Sequence, residues 1–331
     1  MGWRRFVMAV AALASLSASE AWASPAEKQI FEVWLQDLRT EALGKGIKED
    51  TLNKALADVR PIPRVLELDK KQPEFKLSLA KYLQQVVPKA RIQAAQGKLA
   101  AHAALLKEIS GKYRVPSRFI VALWGVETDF GRVTGSFPVV AALATLAYDG
   151  RRSAFFRSEL LNALTILDQG HIAPEKMKGS WAGAMGQSQF MPSSFLRFAE
   201  DYNGDGHKDI WGTEADVFAS IANYLSKSGW KEDQTWGMSV RLPKKFDEKL
   251  ADPKIRKTLA EWNALGVRQG NGQPLPVPKA KGTLSASVLL PEGKGGRAFL
   301  VHGNFETILK WNRSNLFAIA VGQLADGVGG R

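Results

Sequence analysis

The sequence predicts a mainly α-helical protein with a small antiparallel β module inserted late in the chain. Three observations predict it. Apolar residues recur at helical spacing through most of the first 230 residues. From about Thr235 to His302 the pattern changes, and "TWGMSVRLP", "ASVLLPE" and "RAFLVHG" are short apolar strand candidates separated by turn residues. The stretch "NFETILKWNRSNLFAIAVGQLAD" then returns to helical spacing.

The elements follow in order. Arg4 and Arg5, the apolar run Phe6 to Leu16 and the small-x-small site Ala21-Trp22-Ala23 read as an export signal over 1–23, cleaved before Ser24. An uncleaved anchor is the alternative; no later segment is long and apolar enough to span a membrane. Residues 24–112 read as helices, with Ile30, Val33, Trp34 and Leu38 on one face and an interruption near Pro88. In 113–234, Pro116 and Ser117 open a helix carrying Phe119, Ile120, Leu123, Trp124 and Glu127. Two more helices follow, "VVAALATLAYD" and "SAFFRSELLNALTILDQG", the second stopping at Gly170. "GSWAGAMGQSQFMP" (179–192) is too rich in glycine for a regular helix, and "DVFASIANYLSKSGW" returns to helix. The β module takes 235–303 and a C-terminal helix 304–331.

The chain of 331 residues has no cysteine, which excludes disulfides, thiolate metal sites, a Cys nucleophile and a lipid-modified N-terminal Cys. Its formal net charge of +12 favours acidic partners. For an exported protein an anionic envelope polymer fits better than nucleic acid, and a solvated basic surface accounts for the charge equally well.

Three segments carry chemistry. In "ALWGVETDFG", Glu127 is a single carboxylate after an apolar run. A desolvated carboxylate without a compensating partner takes up a proton and can then serve as a general acid. A structural Glu at a helix end is the bland reading. Glycosidases usually flank the bond with two carboxylates. Asp129 would sit about 200° away from Glu127 if the helix persisted, and Asp149 and Glu159 lie beyond turns. In 179–194, Gly179, Ser180, Ala182, Gly183, Ala184 and Gly186 would let a ligand approach the backbone. Trp181, Phe190 and Met191 offer apolar faces, and Gln187, Ser188 and Gln189 offer hydrogen bonds. Tight packing of the loop is the alternative. In "DYNGDGHKDIW", Asp201, Asn203, Asp205 and His207 match the first half of an EF-hand loop. The twelfth position is Gly212, so Glu214 or Asp216 would have to close a longer loop; a bare Asx-rich turn is the alternative.

Together, "WGVETDFG", "GSWAGAMGQSQFMPSS", "DYNGDGHKDIW", "IANYL" and "WNRSN" resemble the lytic murein transglycosylase B family over about Ile30 to Asp326. The resemblance implies a lysozyme-like helical core over 113–234, with helical and β appendages. It implies non-hydrolytic cleavage of the β-1,4 bond between N-acetylmuramic acid and N-acetylglucosamine in peptidoglycan, leaving 1,6-anhydromuramyl ends. Glu127 stands at the family's one catalytic carboxylate. Ser180, Gln189, Phe190, Tyr224 and Asn312 match positions lining its glycan groove, with Arg151, Arg152 and Tyr82 as weaker matches. Some relatives bind calcium or sodium in the EF-hand-like loop, which makes Asp201, Asn203, Asp205, His207 and Asp216 candidate ligands of a structural ion; no cofactor is required. Trp311 stands where relatives often have Tyr. Peptidoglycan strands are the implied partner, with cell-wall synthesis or division proteins as the class of protein partner, and no nucleic acid. The export signal gives the periplasm as the expected location; well-known relatives are lipoproteins, and the missing Cys sets this chain apart from them. A muramidase of the same fold and a non-catalytic glycan-binding protein are the competing readings.

Overall fold

The computed structural model describes residues 25–71, 77–149, 151–277 and 284–329; the expected export signal and part of the loop after Gly270 lie outside them. Among the described residues there are fourteen α-helices and seven strands. They group into two units, each built from separated stretches of chain.

The helical unit comprises 25–71 and 127–221. It holds α1 (Pro25–Gly44), α2 (Glu49–Leu56) and α3 (Pro63–Lys70), followed after the break by α8 (Val139–Tyr148), α9 (Ser153–Asp168) and α10 (Pro192–Phe198). A two-stranded ribbon pairs β1 (Phe137–Pro138) with β2 (Lys178–Gly179). Helix α8 is the centre of this unit. Every residue of "VVAALATLAY" except Ala141 and Tyr148 is buried, as an all-round apolar helix must be. Helices α3 and α9 pack on it, and α2 and α10 pack on α9. Helix α9 presents Phe156, Leu160, Ala163, Leu164 and Leu167 on its buried side. It ends in a Schellman turn. The His171 N–H reaches the Ile166 carbonyl and the Gly170 N–H the Leu167 carbonyl, with Gly170 left-handed at φ 78°.

Helix α1 corrects one expectation. Ile30 and Val33 are exposed, and the buried stripe is Phe31, Leu38 and Ala42. Both sets have helical spacing, so periodicity alone did not choose between adjacent stripes. Helix α2 begins at Lys48, which has no capping side chain. Asp168 of α9 supplies the acceptor instead, taking the Lys48 N–H at 3.0 Å and the Thr51 hydroxyl at 2.7 Å.

The mixed unit comprises 77–126 and 222–329. Its helices are α4 (Leu79–Val86), α5 (Lys89–Ala101), α6 (Ala103–Tyr113), α12 (Leu259–Ala264), α13 (Gly303–Trp311) and α14 (Asn315–Gly329). Helices α7 (Ser117–Thr128) and α11 (Glu214–Lys227) are shared, the division falling after Val126 and after Ile221. Pro88 caps the start of α5, which explains the interruption read from sequence. Helix α14 packs on α4, α5 and α13. Gly322 faces the Trp236 ring so closely that a Cβ there would lie 2.2 Å from it.

The three expected strands are β3 (Gly237–Arg241), β6 (Ser285–Leu289) and β7 (Ala298–Val301), and the structure adds the two-residue strands β4 (Lys257–Thr258) and β5 (Arg268–Gln269). The antiparallel sheet runs β4-β6-β7-β3-β5. Its core holds Trp262, Leu259, Val267, Val288 and Leu300. Short α12, started by a Thr258–Glu261 capping box, supplies Trp262 and was not read from the sequence. The single C-terminal helix expected over 304–331 is two. Asn312 leaves α13 in extended conformation and its Oδ1 accepts the Ser314 N–H, a local side-chain bond that competes with helix continuation. The fold is thus the mainly α architecture predicted, with a small antiparallel sheet. No helix among the described residues is long and apolar enough to cross a membrane.

Candidate active site

Helix α7 carries its apolar residues almost wholly buried: Phe119, Ile120, Val121, Ala122, Leu123 and Trp124 are all 0–1% exposed. Glu127 is half-buried on its last turn. The helix ends at Thr128 and does not persist to Asp129. Asp129, Phe130 and Gly131 are consecutively left-handed, at φ 51°, 62° and 81°. For the two non-glycine residues this conformation costs on the order of 1 kcal/mol each, so the surroundings must impose it.

Thr128 does much of that. Its hydroxyl donates to the Gln187 carbonyl at 2.9 Å and accepts the Gly131 N–H at 3.1 Å, and its own carbonyl accepts the Val133 N–H. Gly131 fits because a Cβ would fall 2.3 Å from the Gln187 Oε1. The Asp129 carboxylate is paired with Arg132.

The loop 179–191 is the other half of this arrangement. Single antiparallel bridges join Gly179 to Met185 and Met185 to Phe190. The Ser180 hydroxyl accepts the Ala184 N–H at 3.0 Å. Gln189 is left-handed at φ 50°, and its side-chain amide donates to the carbonyls of Thr134 and Gly186. Gln187 ties three segments together: its carbonyl holds Thr128, its N–H reaches the Ile210 carbonyl, and its side chain reaches the Trp211 carbonyl. Phe190 is 2% exposed and Trp181 is 8% exposed, so both rings are packed rather than open faces.

The glycines of this loop serve packing. A Cβ would lie 2.1 Å from the Ala184 carbonyl oxygen at Gly179, 2.4 Å from Leu143 at Gly183 and 2.5 Å from the Ile210 oxygen at Gly186. Of the two readings open in sequence, close self-packing is the one these contacts support at those three positions.

The other acids near Glu127 in sequence have partners of their own. Asp149 lies 3.9 Å from Arg151, and buried Glu159 accepts the backbone N–H and hydroxyl of Ser193, which holds the start of α10. Arg151 and Arg152 both pair with the buried carboxylate of Asp69 on α3. Burial lowers the Arg152 guanidinium from its ordinary value. Asp69 is the partner that sequence reasoning missed, because it lies 82 positions away from Arg151.

In the mixed unit, the Tyr224 hydroxyl donates to the Lys310 carbonyl at 2.8 Å, and its ring meets Trp311 edge-on at 4.6 Å. Asn312 follows directly and turns the chain through Ser314. Tyr82 is half-buried on α4.

The EF-hand-like loop directs its carboxylates at its own amides. Asp201 accepts the N–H groups of Gly204, Asp205 and Gly206. Asp205 accepts the Asn203 side-chain amide and the His207 N–H, which hold its carboxyl below the usual range. The His207 ring lies 3.0 Å from the Gly170 carbonyl. Asp216 is fully buried and accepts the N–H groups of Tyr202 and Asp209, one on each oxygen. Burial, outweighing those bonds, raises its carboxyl above the ordinary Asp value. Gly212, at the closing position, has no side chain to offer. Among the described residues no group of three or more His, Asp or Glu is arranged to hold a metal ion.

The transglycosylase SLT domain family matches residues 30–326. The chain belongs to that family. The membrane-bound lytic murein transglycosylase B of Escherichia coli (strain K12) is 37% identical over 222 residues, 65% of this chain and 58% of that protein. The match thus spans less than two thirds of that relative's length. SltB3 of Pseudomonas aeruginosa, in complex with NAG-anhNAM-pentapeptide, is similar with a TM-score of 0.87 and 47% identity, over 91% of this chain and 80% of SltB3. A second SltB3 structure, with the same values, is in complex with NAG-NAM-pentapeptide. The Escherichia coli lytic transglycosylase Slt35 in complex with calcium is similar with a TM-score of 0.75 and 29% identity, over 89% of this chain and 92% of Slt35. These relatives of the SLT family member described here are lytic transglycosylases, hence enzymes, and their helical fold is the lysozyme-like one expected.

Proposed function

We propose that this SLT family protein is a lytic transglycosylase that cleaves the β-1,4 bond between N-acetylmuramic acid and N-acetylglucosamine of peptidoglycan without adding water. One observation carries the reading. Glu127 ends a buried apolar helix, and the strained turn after it is clamped by Thr128 to the loop holding Ser180, Gln189 and Phe190. Strain concentrated beside one carboxylate is what a site built to present that group would show. Asp129, Asp149 and Glu159 have other partners, which favours a one-carboxylate mechanism.

The mechanism follows from that. Glu127 sits on the last turn of α7. It gives its proton to the glycosidic oxygen, the bond from the anomeric carbon to that oxygen breaks, and the N-acetylglucosamine leaves as an alcohol. The 2-acetamido carbonyl of the muramyl residue supports the positive charge, as in substrate-assisted glycosidases. The Glu127 carboxylate then takes the proton of the muramyl 6-hydroxyl, whose oxygen bonds to the anomeric carbon. The result is a 1,6-anhydro sugar and a Glu127 that is protonated again. The anhydro sugar held by SltB3 supports this product. Trp181, Phe190 and Tyr224 are assigned to excluding water, and Ser180, Gln189, Asn312, Tyr82, Arg151 and Arg152 to sugar contacts. The basic and then apolar start of the chain supports export to the periplasm. The chemistry calls for no cofactor.

Digestion of purified peptidoglycan in ¹⁸O-water tests the reading. The expected muramyl ends lack both the label and the mass of one water. Labelled reducing ends as the main product would replace this reading with a muramidase, and intact glycan would replace it with a binding protein.

A further inference from the structure

The β module has a cleft of its own, about 480 Å³, at the end of β3 and the start of β7. That is within the ~300–1,000 Å³ range of ligand pockets. One wall is the segment after β3 and the other is the glycine-rich turn before β7. The floor is apolar, from Val240, Leu242, Phe246 and Leu290. The rim is cationic. Lys294 pairs with Glu248 at 2.7 Å and so joins the two walls. Arg241, Lys244 and Arg297 also line the cleft, and no ion pair engages them among the described residues. The Arg297 guanidinium lies 5.3 Å over the Phe299 ring, which orients it.

Two acids nearby are turned to backbone amides. Asp247 accepts the Lys249 N–H, and Glu292 accepts the Leu79 N–H of α4. The turn opposite is Gly293-Lys294-Gly295-Gly296, with Gly293 and Gly295 left-handed at φ 79° and 78°. It puts no bulky side chain over the cleft other than Lys294.

We infer that this cleft binds a peptide bearing free carboxylates, namely the stem peptide attached to the glycan. The inference rests on the peptidoglycan reading. Charge complementarity argues for it: three cations with no ion pair around an apolar floor fit small aliphatic residues and a carboxylate terminus. A bare phosphate would leave that floor unused. Relatives support the availability of such a ligand, since the glycan fragments held by SltB3 carry a pentapeptide.

The test is calorimetric titration of the full chain with NAG-NAM-pentapeptide, with NAG-NAM alone, and with inorganic polyphosphate. The double variant Arg241→Gln/Lys244→Gln removes two exposed cations, and its melt against wild type checks folding. At roughly 0.5 kcal/mol per exposed ion pair, the double variant binds NAG-NAM-pentapeptide about fivefold more weakly. Its affinity for NAG-NAM and its yield of anhydro ends from peptide-free glycan stay unchanged. Lys244→Glu weakens pentapeptide binding further. Equal loss for both murein ligands, no loss for either, or tight binding of polyphosphate with no preference for the peptide overturns the assignment. Failure of the wild type to bind any murein fragment instead removes the function on which it rests.

Discussion

Thr128→Val is the sharpest probe of how Glu127 is presented. The residue is 1% exposed, and its hydroxyl makes two bonds at once, to the Gln187 carbonyl and from the Gly131 N–H. Valine keeps the volume and loses both. A buried amide or carbonyl left without a partner costs about 1–3 kcal/mol, so the pair amounts to roughly 2–6 kcal/mol. For units of this size that lowers the melting temperature by roughly 6–18 °C. The effect on turnover is separate. The two bonds hold the turn that begins one residue after Glu127, and a displacement of about 1 Å at a catalytic group lowers the rate roughly 10²-fold. Soluble-product release from peptidoglycan should therefore show kcat reduced about 10–100-fold at 25 °C, below the melt, with KM little changed. Thr128→Ser keeps the oxygen and should restore most of both losses. A Thr128→Val enzyme with normal kcat and a melt within 1–2 °C of wild type would mean that the clamp does not position Glu127.

Two further predictions concern carboxylates. Glu127→Gln removes the transferable proton and should lower turnover by at least the ~10²–10⁴-fold of a lost general acid with an unchanged melt, whereas Asp129→Asn, which alters a pair with Arg132, should retain most activity in the same assay. Asp216→Asn places an amide N–H against the Tyr202 or Asp209 N–H and should cost about 2–3 kcal/mol by urea denaturation. The pH dependence has a defined sign. Because burial raises the Asp216 carboxyl in the folded state, its contribution is full below the ordinary Asp range and is lost as pH rises through the raised folded value. The stability gap between wild type and Asp216→Asn should widen as pH falls from 7 towards 4. A gap that narrows would mean that the two amide bonds outweigh burial.

What was legible in the sequence was periodicity and polarity. Glu127 stood out because one charge followed a run of apolar residues, and the strands β3, β6 and β7 because the period changed. The missing parts are relations between distant residues. Thr128 and Gln187 are 59 positions apart, and neither looks unusual where it stands; the polar groups of Gln187 hold Thr128, Ile210 and Trp211. The pairing of Arg151 and Arg152 with Asp69 is not visible in the sequence because Asp69 lies more than 80 positions away. Helix α12 was invisible for a different reason: six residues are too few to establish a period, and its stability comes from the Thr258 cap and from Trp262 in the module core.

The glycines of 179–186 show where composition stops being informative. A glycine records that something approaches the backbone closely, but not what. At Gly179, Gly183 and Gly186 the approaching atoms are the Ala184 and Ile210 carbonyls and the Leu143 side chain, all belonging to the protein. The loop is therefore rigid before any ligand arrives. Together with the Thr128 clamp, this links the glycines to chemistry without ligand contact. They let 179–191 pack tightly enough to fix the Gln187 carbonyl, that carbonyl fixes Thr128, and Thr128 fixes the turn that follows Glu127. A Cβ at Gly186 would press on Ile210, whose carbonyl accepts the Gln187 N–H. On this reasoning the glycine-rich motif acts at one remove, through the position of a single carboxylate.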